Sequence, residues 1–157
     1  MFHKLTSEVW FGDKPSVTET LGRVRSVINV AHSIRQPYWT DLIRLPYDVF
    51  YFRLAKKDRE HFDDTHFAAL TKVLDAILIA GKIPLLCHCR LGGHRGPSTA
   101  LFAAWHFAGR HQTDLDFLHS RMVGLVPGLI NGLKAKGGRC LYYKLSMAYC
   151  NANSIKE

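Results

Sequence analysis

The chain has 157 residues, 47% of them apolar, and a formal net charge of +8 at neutral pH. That length and apolar content suit a single domain spanning 1–157 with a proper core, and they exclude a disordered chain. No apolar run can span a bilayer without interruption, and the opening Met1-Phe2-His3-Lys4 lacks the long apolar stretch of a secretory signal.

In chain order, residues 8–12 and 26–31 read as strands, and 41–45 and 49–53 as two more, separated by Pro46. From about Glu60 to Ala80, Phe67, Leu70, Val73, Leu74, Ile77 and Leu78 recur at helical spacing, and Gly81 ends that helix. Ile83 to Cys87 is short and apolar, bounded by Pro84 and by later glycines, and reads as a buried strand. From Pro97 onward, Ala100, Leu101, Ala103, Ala104, Trp105, Phe107 and Ala108 read as a buried helix. Residues 113–122 and 139–151 are expected to be helices, with Gly124, Pro127, Gly128, Gly137 and Gly138 breaking the region between them. The expected fold class is α/β. A central twisted mixed sheet of about five strands is flanked by helices, with a phosphate-binding loop between a strand and a helix.

That loop carries the chemistry. It runs Cys87-His88-Cys89-Arg90-Leu91-Gly92-Gly93-His94-Arg95-Gly96-Pro97-Ser98, a cysteine and an arginine separated by five residues. A tight turn from strand to helix aims backbone N–H groups inward, and the helix start adds partial positive charge, so the concavity suits a dianion. Gly92 and Gly93 allow backbone angles that a Cβ forbids. Pro97 fits a first helical turn, where its missing N–H costs little. Arg95 can grip two phosphate oxygens with its planar fork. A cationic setting of this kind favours the thiolate, the attacking form of a cysteine such as Cys89. The phosphate-binding set is therefore Arg90, Leu91, Gly92, Gly93, His94 and Arg95, with Arg90 and His94 at the mouth.

These residues resemble the H-C-x5-R signature of the cysteine-based protein phosphatases, and more specifically the compact dual-specificity phosphatases. Val27-Ile28-Asn29-Val30-Ala31 resembles that family's early core strand, and Trp10-Phe11-Gly12 its N-terminal hairpin region. The resemblance covers roughly residues 5–150. It implies Cys89 as nucleophile, Arg95 as phosphate clamp, and Asp58 as the general acid that protonates the leaving oxygen. Asp63 and Asp64 are rivals for that role, but acidic residues in a first helical turn are ordinary capping charges. His88 is expected behind the loop, holding its backbone. The segment Ser33-Ile34-Arg35-Gln36-Pro37-Tyr38-Trp39 is expected to form one wall of the pocket. One position departs from the pattern: Gly96 stands where the family has Ser or Thr, whose hydroxyl assists the sulfur as a leaving group. Ser98, and Thr99 beside it, are the nearest substitutes.

The resemblance implies hydrolysis of phosphotyrosine, and through a shallow pocket phosphoserine or phosphothreonine, on proteins. Inositol lipids and RNA 5′-triphosphate are alternative substrates, suited like phosphopeptides to the net positive charge. A phosphate-binding module without catalysis is a further alternative, and a rhodanese-type sulfur transferase fits the spacing less well. Basic residues are scattered rather than interleaved with aromatics, which weighs against nucleic acid as a partner. Cys87-His88-Cys89 lacks two further ligands at a zinc spacing, so no metal and no cofactor is expected. A catalytic thiol needs a reducing compartment, and a cytoplasmic setting is expected.

Overall fold

A computed structural model describes residues 1–13, 15–31, 48–56, 62–89, 95–128 and 141–156. Five strands, β1 (Phe2–Lys4), β2 (Val9–Gly12), β3 (Ser26–Ala31), β4 (Phe50–Lys56) and β5 (Leu85–His88), form one sheet in the order β1-β2-β5-β3-β4. β1 runs antiparallel to β2, and the other neighbours are parallel. β5 therefore lies at the centre: Leu86 is paired with Trp10 on one side and with Val27 on the other. A strand buried on both faces needs side chains that tolerate burial at successive positions, and every residue of β5 is buried.

Alternation along the strands divides two cores. Val9, Phe11, Ile28, Val30, Leu85, Cys87 and Cys89 belong to the larger one, under the helices. Trp10, Val27 and Leu86 join Val17 and Val24 in the smaller one, beside the single turn α1 (Ser16–Glu19). The larger core is closed by α2 (Asp64–Ala80), α3 (Arg95–Phe107), α4 (Gln112–Leu125) and α5 (Leu141–Asn153).

α2 shows how the sequence sets its limits. The Asp63 side chain accepts the His66 N–H at 2.8 Å, capping the first turn. Gly81, at φ 66°, takes the left-handed conformation that closes the last turn, and Lys82 N–H reaches Ile77 O at 3.0 Å. Phe67, Leu70, Leu74 and Ile77 form its buried face. α3 is buried from Arg95 to Trp105 and runs through the middle of the helical layer, as a helix with few polar residues must. The Phe67 ring stacks on Phe102 at 5.1 Å and on Tyr149 at 4.4 Å, tying α2, α3 and α5 together.

The expected mixed five-stranded sheet with flanking helices is observed. The segment 83–87 shifts to Leu85–His88, because Pro84 offers only its carbonyl, which accepts from Arg25 and Ser26 just ahead of the β3–β5 pairing. The strand expected at 49–53 continues to Lys56, and the helix expected from Glu60 begins at Asp64, after its Asp63 cap. The strand expected at 41–45 lies outside the described residues. Two short elements were not read from the residue pattern. β1 forms because Phe2 stacks on Trp10 at 5.4 Å and His3 on Phe11 at 5.2 Å across the antiparallel pair. α1 is too short for any periodicity to reveal it.

Candidate active site

Cys89 follows the last residue of β5, and Arg95 is the first residue of α3. Both are deeply placed, Cys89 at 3% exposure and Arg95 at 7%. A guanidinium is rarely buried without a reason, and here it shares one end of the sheet with a thiol. The N-terminus of α3, with its partial positive charge, begins at the same place. His88 is buried beneath, with Nδ1 3.4 Å from Cys89 O, at the long limit of a hydrogen bond.

Gly12 supports the same corner from the neighbouring strand. It pairs with His88 in the parallel ladder, and its carbonyl accepts the Cys89 N–H at 3.4 Å. A Cβ at Gly12 would lie 2.2 Å from Ser16 Oγ and 2.9 Å from Met1 O, so only glycine fits. Ser16 Oγ is itself fixed, donating at 2.7 Å to Met1 O and lying 2.7 Å from Asp13 Oδ1. At Gly96 a Cβ would stand 3.3 Å from Gly12 O and 3.4 Å from both Cys87 O and Cys89 N. The start of α3 is thus wedged against the ends of β2 and β5. A side chain at position 96 would enter the space between Gly12 O, Cys87 O and Cys89 N. Gly12 is a packing residue of this corner that sequence reasoning passed over. Its role depends on a parallel partner far along the chain, which local pattern does not reveal.

Ser98 and Thr99 are both buried in the first turns of α3. The Thr99 hydroxyl donates to Arg95 O at 2.9 Å, which commits it to the helix backbone. Cys87 faces the same core as Cys89, but burial pushes its thiol well above the ordinary range, so it is a packed, protonated cysteine. Burial likewise pushes the Cys150 thiol up to about 12. Asp63 serves as the cap of α2. Asp58, Arg90, Leu91, Gly92, Gly93 and His94 lie outside the described residues, as does the Ser33–Trp39 wall. Among the described residues, no group of three His, Cys, Asp or Glu side chains could hold a metal ion, and no helix is long and apolar enough to cross a membrane.

No family model and no curated protein matches this chain. Solved structures do. Human DUSP28 superimposes with a TM-score of 0.67 at 15% identity, over 96% of this chain and 93% of that one. A mouse putative dual specificity phosphatase, complexed with zinc tungstate, gives 0.67 at 19% identity, over 96% and 86%. Tk-PTP in its active form gives 0.63 at 12% identity, over 95% of each chain. The chain has the fold of the compact cysteine-based phosphatases. At these identities the likeness is one of architecture.

Proposed function

We propose that this chain is a cysteine-dependent phosphatase that hydrolyses phosphotyrosine, and through a permissive pocket phosphoserine or phosphothreonine, on proteins. The observation that carries the reading is the placement of Cys89 and Arg95, buried together where a central strand ends and a helix begins. In the first step the Cys89 sulfur attacks phosphorus, an S–P bond forms, and the P–O bond to the leaving group breaks. Asp58 gives its proton to the departing oxygen. Arg95 and the amides of the loop hold the equatorial oxygens where charge gathers, and each such donor contributes roughly 10²–10³ in rate. Water then attacks phosphorus, Asp58 takes its proton, and the S–P bond breaks to release phosphate and the free thiolate.

The fold supports this reading, and so does the chemistry of a similar structure. The mouse neighbour is complexed with zinc tungstate, and tungstate is an oxyanion with phosphate-like acceptor oxygens and charge. A net charge of +8 favours anionic substrates by long-range attraction. The thiol chemistry assigns the protein to a reducing compartment, and we place it in the cytoplasm.

One observation favours a second reading. Gly96 supplies no hydroxyl, and its Cβ position is hemmed in by Gly12 O, Cys87 O and Cys89 N. A chain that cannot break the S–P bond stalls after one phosphoryl transfer, and it then serves as a phosphate binder rather than a turnover catalyst. Hydrolysis of a small aryl phosphate, in reductant with chelator, separates the two. Turnover abolished by Cys89→Ser and reduced by Asp58→Ala establishes the enzyme. Absent turnover with phosphate still binding leaves the binder. Comparison of a phosphopeptide, an inositol lipid and triphosphorylated RNA then assigns the substrate.

A further inference from the structure

At the far end of α3 from Arg95, a narrow apolar groove opens between the β1–β2 turn and the first turns of α4. Thr6, Glu8, Phe107, Asp114, Phe117 and Leu118 line it. Its volume is about 170 Å³, below the roughly 300–1,000 Å³ of small-molecule sites, so it suits a single side chain. At 1.5 Å per helical residue, Phe107 lies about 18 Å along α3 from Arg95, which separates the groove from the thiol.

Three features give it the character of a built surface. Phe117 is 66% exposed on α4, a large ring left in water beside the half-buried Phe107. The turn that forms the opposite wall is fixed. Arg121 of α4 donates to Leu5 O at 2.6 Å and to Lys4 O at 3.2 Å, and Thr6 Oγ1 accepts from Glu8 N at 3.2 Å and Val9 N at 3.0 Å. A wall held in this way loses little entropy on binding. The rim is acidic in a chain whose net charge is +8. Among the described residues, the Glu8 and Asp114 carboxylates have no ion pair and accept no hydrogen bond. Asp114 sits in the first turn of α4, where the helix dipole welcomes it. Glu8 has no such reason to be there.

We infer that this groove docks a segment of a partner protein in which one apolar side chain is flanked by lysine or arginine. The apolar side chain fills the space against Phe107 and Phe117, and the cations meet Glu8 and Asp114. The net positive charge of the chain disfavours a second copy as occupant. Docking here leaves the Cys89 end free, so a partner held by the groove can present another part of itself to the thiol.

The test is a two-dimensional amide NMR titration of the full chain with the peptide acetyl-Gly-Lys-Leu-Lys-Gly-amide. Its glutamate counterpart, acetyl-Gly-Glu-Leu-Glu-Gly-amide, is the control. Expected are shifts at Thr6, Glu8, Phe107, Asp114 and Phe117, abolished by Phe117→Ala and weakened by Glu8→Gln with Asp114→Asn. All three sites are at least partly exposed, so these variants keep the fold. The glutamate peptide should bind about tenfold more weakly, two exposed attractions having become two repulsions. The inference is overturned by absent shifts, by equal binding of the two peptides, or by shifts at these residues that grow with protein concentration alone, which would make a second copy the occupant. The readout does not depend on turnover, so it stands or falls apart from the phosphatase reading.

Discussion

Replacing Gly12 by alanine tests how tightly the corner beneath the thiol is packed. The added methyl would stand 2.2 Å from Ser16 Oγ, 2.8 Å from Ser16 Cβ and 2.9 Å from Met1 O. Turning the serine side chain away relieves only the first of these contacts. It also gives up the bond from Ser16 Oγ to Met1 O and the one from Asp13 N to Ser16 Oγ. The strand end or α1 must therefore move, and overpacking of this kind costs about 1–3 kcal/mol, here at the upper end. Gly96→Ala is the internal control. Its methyl meets neighbours at 3.3–3.4 Å, so a few tenths of an ångström suffice, and the gain of roughly 0.5–1 kcal/mol from removing a helical glycine offsets much of that strain. Urea denaturation should show a drop of about 2–3 kcal/mol for Gly12→Ala, or about 5–10 °C in Tm for a chain of this size, against less than about 1 kcal/mol for Gly96→Ala. If the two variants are equally stable, or Gly96→Ala is the worse, the reasoning about this corner is wrong.

Asp63→Ala should lose about 1 kcal/mol in the same assay through the lost cap of α2, while Asp63→Asn keeps most of it. Phe102→Ala, at the centre of the aromatic stack, should cost about 3–5 kcal/mol by cavity formation, read by thermal unfolding. Stability should fall at alkaline pH. Cys150 ionises from an ordinary value of 9.0 when unfolded but only near 12 when folded, and burial raises Cys87 as well. Above pH 9 the unfolded chain holds fewer protons, so each buried thiol subtracts about 1.4 kcal/mol per pH unit. Denaturation midpoints from pH 8 to 11 should show this slope, and Cys150→Ala should flatten it. Native alkylation followed by mass spectrometry should leave Cys87 and Cys150 unlabelled until denaturant is added, since both are buried and protonated.

The strand β5 and the helix α3 were legible because their signals are local. An apolar run, two glycines, an arginine and a proline in the first helical turn lie within a few residues of one another. The span of α2 was readable from the spacing of Phe67, Leu70, Leu74 and Ile77, and its end from Gly81. The roles of Gly12 and of β1 were not, because both arise from pairing. Gly12 matters through His88 and Ser16, and Phe2 through Trp10. The acids beside Phe117 were equally hidden. Glu8 precedes β2 and Asp114 opens α4, and only the folded chain sets them on one rim.

The central position of β5 also governs how the protein comes into being. β2 and β3 do not pair with each other; both pair with β5. As the chain emerges from a ribosome, β1 with β2 and β3 with β4 can form only two separate ladders. The sheet becomes continuous only when Leu85 to His88 has left the ribosome and slots between them, by which time Cys89 is already made. A nascent chain halted short of that point has no seam to hold its halves together, and a long-range closure of this kind is the slow step of such topologies. The strand that carries the thiol is therefore also the keystone of the fold, and molecules that have completed folding have by the same event set the thiol in place.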